Sequence, residues 1–440
     1  MNLLFILIYK ELKDFFSSKS ALVFFIILTS FVGYSFITAV SLYSEQSIAA
    51  EGNPVYATGF EPAPGVFVPV FGGIFLLFSL FLPFVFIRSI YEEKRNNTIA
   101  LLRQLPCPLS FIIISKTIAS LFLIFCGEIL IVPLLLIWHS MGGHLPVNEL
   151  ILLFSGYALY GLFVMSVSFF SASVFNSAAN ASIGALILII ISWIIDFGKD
   201  SSQAQFLSFL APWTVTANLK IFEHGILSFS AVAYFIVLPL IFLALTCSFL
   251  ALSDYSRYIR ALFIISASVV VLYFISFISL NKDLTESRKN SFSPLDAGIL
   301  KNIPAFEIDI YIRREDSRFK DFENSFLKKL KLLRNDITVK FMTGRQLSEK
   351  YGLFVYKLNG KSAQTYSNSE EEILPALCRL ADIQYSPGRY KDDFPGYPLV
   401  VHSGFYSVKF IYYLIIPCIL VIIYIMNIYF RKKVFPLKQQ

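Results

Sequence analysis

Residues 88–110 read RSIYEEKRNNTIALLRQLPCPLS, a polar stretch between an apolar run that ends at Ile87 and another that begins at Leu109. Each run is long enough to cross a bilayer, so the stretch is a short loop between two membrane spans. Asn97 is placed to cap a helix over 98–105, because its amide oxygen can accept from first-turn N–H groups that lack a helical partner. Pro106 has no N–H to donate and stops that helix. Eight residues at 1.5 Å each make a rod of about 12 Å, with Ile99, Leu102 and Leu105 on one side and Arg103 and Gln104 on the other. Such a peg suits docking into a partner. The same residues also suit a positively charged loop that only sets topology, and their chemistry alone leaves both readings open.

Composition sets the class around this loop. The chain has 440 residues, of which 56% are hydrophobic and 16% aromatic, with 46 Phe. Only 15% are charged, against about 25% in soluble domains, and the mean hydropathy is +0.66. This is the composition of a membrane protein. The formal charge of +7 is spread among acidic residues with no aromatic-interleaved basic stripe, so no nucleic-acid partner is expected.

Taken in order, residues 1–20 read as an uncleaved interfacial helix, too short in its apolar part and without the small-residue site of a secretory signal. Runs of about twenty apolar residues then place spans at 21–43, 66–90, 109–138, 149–175, 178–198, 228–252, 259–280 and 407–430. With the N-terminus inside, Lys10, Lys13, Lys19, Arg88, Lys94, Arg95, Arg103, Arg257, Arg260 and the basic tail at 431–440 are cytoplasmic, and the short outer loops at 44–65 and 139–148 carry no Lys or Arg. Both chain ends are then cytoplasmic and residues 281–406 lie outside. The fold class expected is an α-helical polytopic membrane protein of about eight transmembrane helices with an extracytoplasmic α/β domain.

Few residues inside the spans suggest chemistry. Glu128 is the one acidic residue well inside a span, where a charge costs about 2.5–3.5 kcal/mol, and it faces either a transport path or a neighbouring helix. Lys116, near an inner end, is expected to snorkel. His139 and His144 flank Gly142 and Gly143 without a third ligand, so no metal site is expected.

Residues 281–406 are polar and alternate in pattern: a strand over 305–312, a helix over 318–334, strands at 337–341 and 353–356, a helix over 370–381 and a late strand at 399–402. That order favours a parallel sheet with helical crossovers. Asn359-Gly360-Lys361-Ser362 resembles the tail of a phosphate loop, but Val355 stands where Gly is required, and a hairpin fits better. With one Cys (Cys378), one His (His402) and no G-x-S-x-G, the domain is not expected to be catalytic.

The loop carries a resemblance. Glu92, Glu93, Lys94, Arg95, Thr98, Leu101, Leu102, Leu105, Pro106 and Lys116 fall in the order of the coupling-helix segment of type-2 ABC exporter permeases, with Asn97 where that family usually has Gly. A second stretch, Leu210, Pro212, Trp213, Phe222, Gly225, Ile226, Leu227, Ser228, Tyr234 and Phe235, resembles the same family just before its sixth span. Residues 305–341 and 353–380 resemble the outer domain of the auxiliary subunit in gliding-motility-type ABC transporters. The resemblance implies a six-span permease over 21–252, a seventh span within 253–280, an auxiliary-type domain and an eighth span at 407–430. It also implies a bacterial inner-membrane location, two ABC ATPase subunits that carry the ATP and Mg, and an identical second permease chain. This chain itself would bind no cofactor. A non-transporting scaffold or sensor, whose outer domain binds a cell-envelope partner, is the alternative.

Overall fold

The computed structural model describes all residues except 1–2, 51–53, 103, 105–107, 199–204, 252–254, 277, 279, 335, 343–346, 348–349, 386–393, 402–403 and 435–440. Among the described residues eight helices are long and apolar enough to cross a membrane: Lys19–Ile48, Ala63–Arg95, Leu109–Ser140, Val147–Val174, Ala178–Gly198, Phe229–Ala251, Ser256–Ile275 and Tyr406–Tyr429. They form because a chain in hydrocarbon must satisfy its backbone internally, and a continuous helix does so. The protein is a polytopic helical membrane protein. The expected spans are all present, though several overshoot the apolar runs. The first has 30 residues, about 45 Å at 1.5 Å each, so it extends past a hydrocarbon core of roughly 30 Å.

The second and fourth spans are the most enclosed, each 67% buried over its apolar stretch, against 6% for the seventh and 11% for the eighth. The last two spans therefore flank a body made by the first six. Gly161 lets the fourth span close on the third, since a Cβ there would lie 2.8 Å from Ile124. The bundle core is largely aromatic: Phe71 and Tyr157 pack at 5.0 Å between centroids, and Phe75 and Tyr160 at 4.9 Å. Proline breaks the third span at Leu130–Ile131. There the Leu134 N–H turns to Ile131 O at 2.9 Å, and the Tyr412 hydroxyl from the eighth span donates to Leu130 O instead. Gly33 of the first span has no Cβ, and this admits Tyr412, whose own Cβ lies 2.8 Å from where one would be.

Six short strands complete the described fold. β1 (Ile226–Ser228), just before the sixth span, pairs antiparallel with β2 (Asn281–Asp283) after the seventh. β3 (Glu307–Ile310), β4 (Thr338–Phe341), β5 (Phe354–Leu358) and β6 (Lys361–Thr365) form a second sheet in the order β4-β3-β5-β6. Only β3 and β4 are parallel, while β5 is antiparallel to both neighbours, so the expected all-parallel sheet is a mixed one. The cause is local. Asn359 and Gly360 take positive φ (47° and 82°) and close a two-residue hairpin that returns the chain at once, without a crossover helix. Residues 317–333, continuous through a π turn, make the one crossover, from β3 to β4, and bury Phe322 and Phe326 beneath Ile308, Ile310 and Tyr356. The late strand expected at 399–402 is absent from this sheet. Leu399 and Val401 give their N–H groups to Ser47 and Ser44 of the first span, at 3.0 and 2.8 Å, and His402 lies outside the described residues.

Candidate functional site

On the face of the bundle opposite the α/β domain, the second span continues as helix to Arg95, well past its apolar run. Asn97 then takes a left-handed backbone (φ 55°), which Asn tolerates better than most residues. Helix N-caps are usually extended, so Asn97 acts as the terminator of the helix before it, not as the expected cap of the next. Of the helix expected over 98–105, Thr98–Leu102 is helical and Gln104 lies in a turn; Arg103, Leu105 and Pro106 lie outside the described residues, as does the side chain of Leu102. Thr98 seats this peg by donating its hydroxyl to Glu93 O at 3.0 Å. Ile99 points inward to an apolar niche with Ile112, Ile113 and Leu250, while Leu101 points away and is 63% exposed.

Beneath the peg lies a buried ion cluster. Lys116 does not snorkel: it is 1% exposed. Its Nζ lies 2.8 Å from Glu11 Oε1 and 3.1 Å from Glu93 Oε1, and it also donates to Ser89 Oγ at 3.1 Å. Lys10 Nζ reaches the same two carboxylates at 3.1 and 2.7 Å. Burial pushes the Glu11 carboxyl up, but Lys116 and Lys10 outweigh it and hold the group below the usual range; burial lowers Lys10, but Glu11 and Glu93 raise it overall. Two cations and two anions at hydrogen-bond distance thus join the N-terminal helix (Leu3–Phe16) to the second and third spans. Breaking such a pair on one side leaves a buried charge uncompensated.

Two further clamps hold the loop. Lys94 Nζ donates to Ser173 O and Phe175 O, both at 3.0 Å, where the last carbonyls of the fourth span lack helical donors and attract a cation. Arg88 pairs with Glu92 at 2.6 Å and donates to Ser20 Oγ at 3.1 Å. Arg95 is exposed. Between the N-terminal helix and the peg opens a cleft of about 590 Å³, lined by Asp14, Ser18, Arg88, Glu92, Asn96 and Leu101 among others. Charged walls and an exposed leucine flank a rigid base, and among the described residues no group of three or more metal-ligating side chains could hold a metal.

No family model, curated protein or solved structure matches this chain.

The other singled-out residues lie elsewhere. Glu128 is 3% exposed and its Oε1 has no hydrogen-bond partner among the described residues. Pro212, Trp213 and Gly225 belong to a segment of short helices before the sixth span. Pro212 O accepts from Asn218 Nδ2 at 3.2 Å and Trp213 O from the Tyr234 hydroxyl at 2.8 Å. Gly225 has φ 76°, and a Cβ there would meet Thr285 at 2.4 Å. Gly225 thus borders the β1–β2 junction, while Pro212 and Trp213 are tied within their own segment and to the sixth span. Sequence reading missed Glu11 as the partner of Lys116 and Lys10 as the second cation on the same carboxylates, although both stand on the N-terminal helix that it placed at the interface. It also missed Glu223, to which Tyr157 donates at 2.7 Å.

Proposed function

We propose that this chain is the permease subunit of an ATP-binding cassette transporter of the type-2 exporter kind. The observation that carries the reading is the presentation of Thr98–Leu102: a short helix with one exposed leucine, Leu101, standing on a base braced by Lys116, Glu11, Glu93 and Lys10. A loop that only set topology would need charge, but not a buried network that joins three helices. In this reading the peg face is cytoplasmic, and a separate ATPase, which carries ATP and Mg, docks on Leu101 and the adjoining cleft. Its closure pushes the second and third spans through the ion cluster. Two identical permease chains pair with two ATPase subunits in the bacterial inner membrane, and the α/β domain works on the opposite side, in export or in mechanical work on the envelope.

The test is co-purification of the tagged chain from its native membrane, comparing wild type with Leu101→Asp/Leu102→Asp. An ATPase retained by wild type and lost from the double variant is the expected result. If no ATPase accompanies wild type even after mild extraction and crosslinking, the transporter reading fails and an anchored scaffold takes its place.

A further inference from the structure

Two stretches of chain join the α/β domain to the bundle, and both are fastened at the face away from the peg. On the incoming side β2 pairs with β1, Leu284 N–H donates to Gly225 O at 2.9 Å, and Glu286 N–H donates to Glu149 Oε1 at 3.2 Å. On the returning side Tyr397 N–H donates to Phe60 O at 2.9 Å, and the Tyr43 hydroxyl donates to Tyr397 O at 2.6 Å. Leu399 and Val401 bond the first span through Ser47 and Ser44. Gly396 passes so close to Ala57 that a Cβ would lie 1.6 Å from its carbonyl oxygen.

One side chain touches both connections. His144 stands in the turn between the third and fourth spans, with Nε2 at 2.7 Å from Glu286 Oε2. Its ring stacks on Tyr397 with 3.7 Å between centroids and 12° between planes. His144 is itself held, because Trp138 Nε1 donates to its carbonyl at 2.7 Å, and Trp138 is fully buried edge-on to Tyr43 at 5.7 Å. Since Tyr43 also holds Tyr397, the four residues close a ring: Trp138 to His144, His144 to Tyr397, Tyr397 to Tyr43, and Tyr43 back to Trp138.

We propose that His144 is the pin of a latch. It fastens the incoming and the returning connections of the α/β domain together onto the ends of the first, third and fourth spans. While it is seated, domain and spans move as one body; when it is withdrawn, both connections loosen. The pair with Glu286 is part-exposed and contributes little alone. Its effect comes from position, because it joins the incoming segment at Glu286 directly to the returning segment at Tyr397. The latch goes beyond the transport reading and stands without it.

The test is hydrogen exchange of the full chain in phospholipid nanodiscs. His144→Ala is expected to speed exchange in peptides covering 281–286 and 394–401 together, by about tenfold, the size of one lost hydrogen-bonded contact. Peptides covering β5 and β6 should keep the wild-type rate, which shows that the domain remains folded. If only one connection responds, or neither, His144 is not a pin. Should His144→Ala fail to fold, Glu286→Ala decides the matter. The latch predicts that it loosens 394–401 as well as its own segment, because the ring that it holds stacks on Tyr397; a purely local contact would leave 394–401 at the wild-type rate.

Discussion

Lys116 and Glu11, far apart in sequence, meet at 2.8 Å with Lys116 1% and Glu11 5% exposed. The contact fixes the N-terminal helix against the third span directly beneath the peg. Lys116→Ala leaves Glu11 and Glu93 with Lys10 alone, and the expected loss is about 3 kcal/mol, at the lower end for breaking a buried pair. Glu11→Ala/Lys116→Ala should lose less than the sum of the single changes. A thermal-denaturation double-mutant cycle in detergent checks this, and strictly additive losses would show that the two side chains do not interact.

The pH dependence follows from the same pair. Glu11 has a folded pKa below its unfolded one, because its two lysine partners outweigh burial. Its contribution is therefore complete above the unfolded value of about 4.3 and is lost as pH falls through the lower folded value. Glu11→Gln should flatten the acid limb of stability against pH in that window and leave the neutral region with the same slope. An unchanged acid limb would mean that other carboxyls set it.

Asn97 tests the turn before the peg. Its φ of 55° costs a β-branched residue about 1–2 kcal/mol and costs Gly nothing. Asn97→Gly should hold or slightly raise the thermal midpoint, and Asn97→Val should lower it. A midpoint that ignores Val would argue against a left-handed turn there.

Gly33 tests the seat of the eighth span. A Cβ at this position would lie 2.8 Å from that of Tyr412, so Gly33→Ala should push Tyr412 away and free Leu130 O at the break in the third span. Tyr412→Phe removes only the hydroxyl and should cost about 1–3 kcal/mol, the penalty for a buried acceptor left without its donor. Thermal unfolding of both variants checks the order, with Gly33→Ala at least as damaging.

Apolar run length and the spacing of polar stretches were sufficient to locate eight spans, the polar domain between the last two, the helix at 370–381 and the Asn359-Gly360 hairpin, because each depends on composition or on residues next to one another in sequence. A break at Asn97 was legible for the same reason, but its left-handed form was not, since an Asn there suits either an N-cap or a positive φ. Tertiary structure alone decided what depends on distant partners. Lys116 could snorkel or be buried, and it is buried because Glu11 and Glu93 come within 3.1 Å of it. Leu399 and Val401 have strand-like alternation, yet their N–H groups go to Ser47 and Ser44 because the first span overshoots the membrane and puts those hydroxyls within reach. His144 had no partner legible from its neighbours in sequence, and the fold gave it a carboxylate and a tyrosine ring. Local sequence fixes backbone preference and hydrophobic period, whereas the partner of a buried charge or a free N–H is set by which segments the packed core brings together.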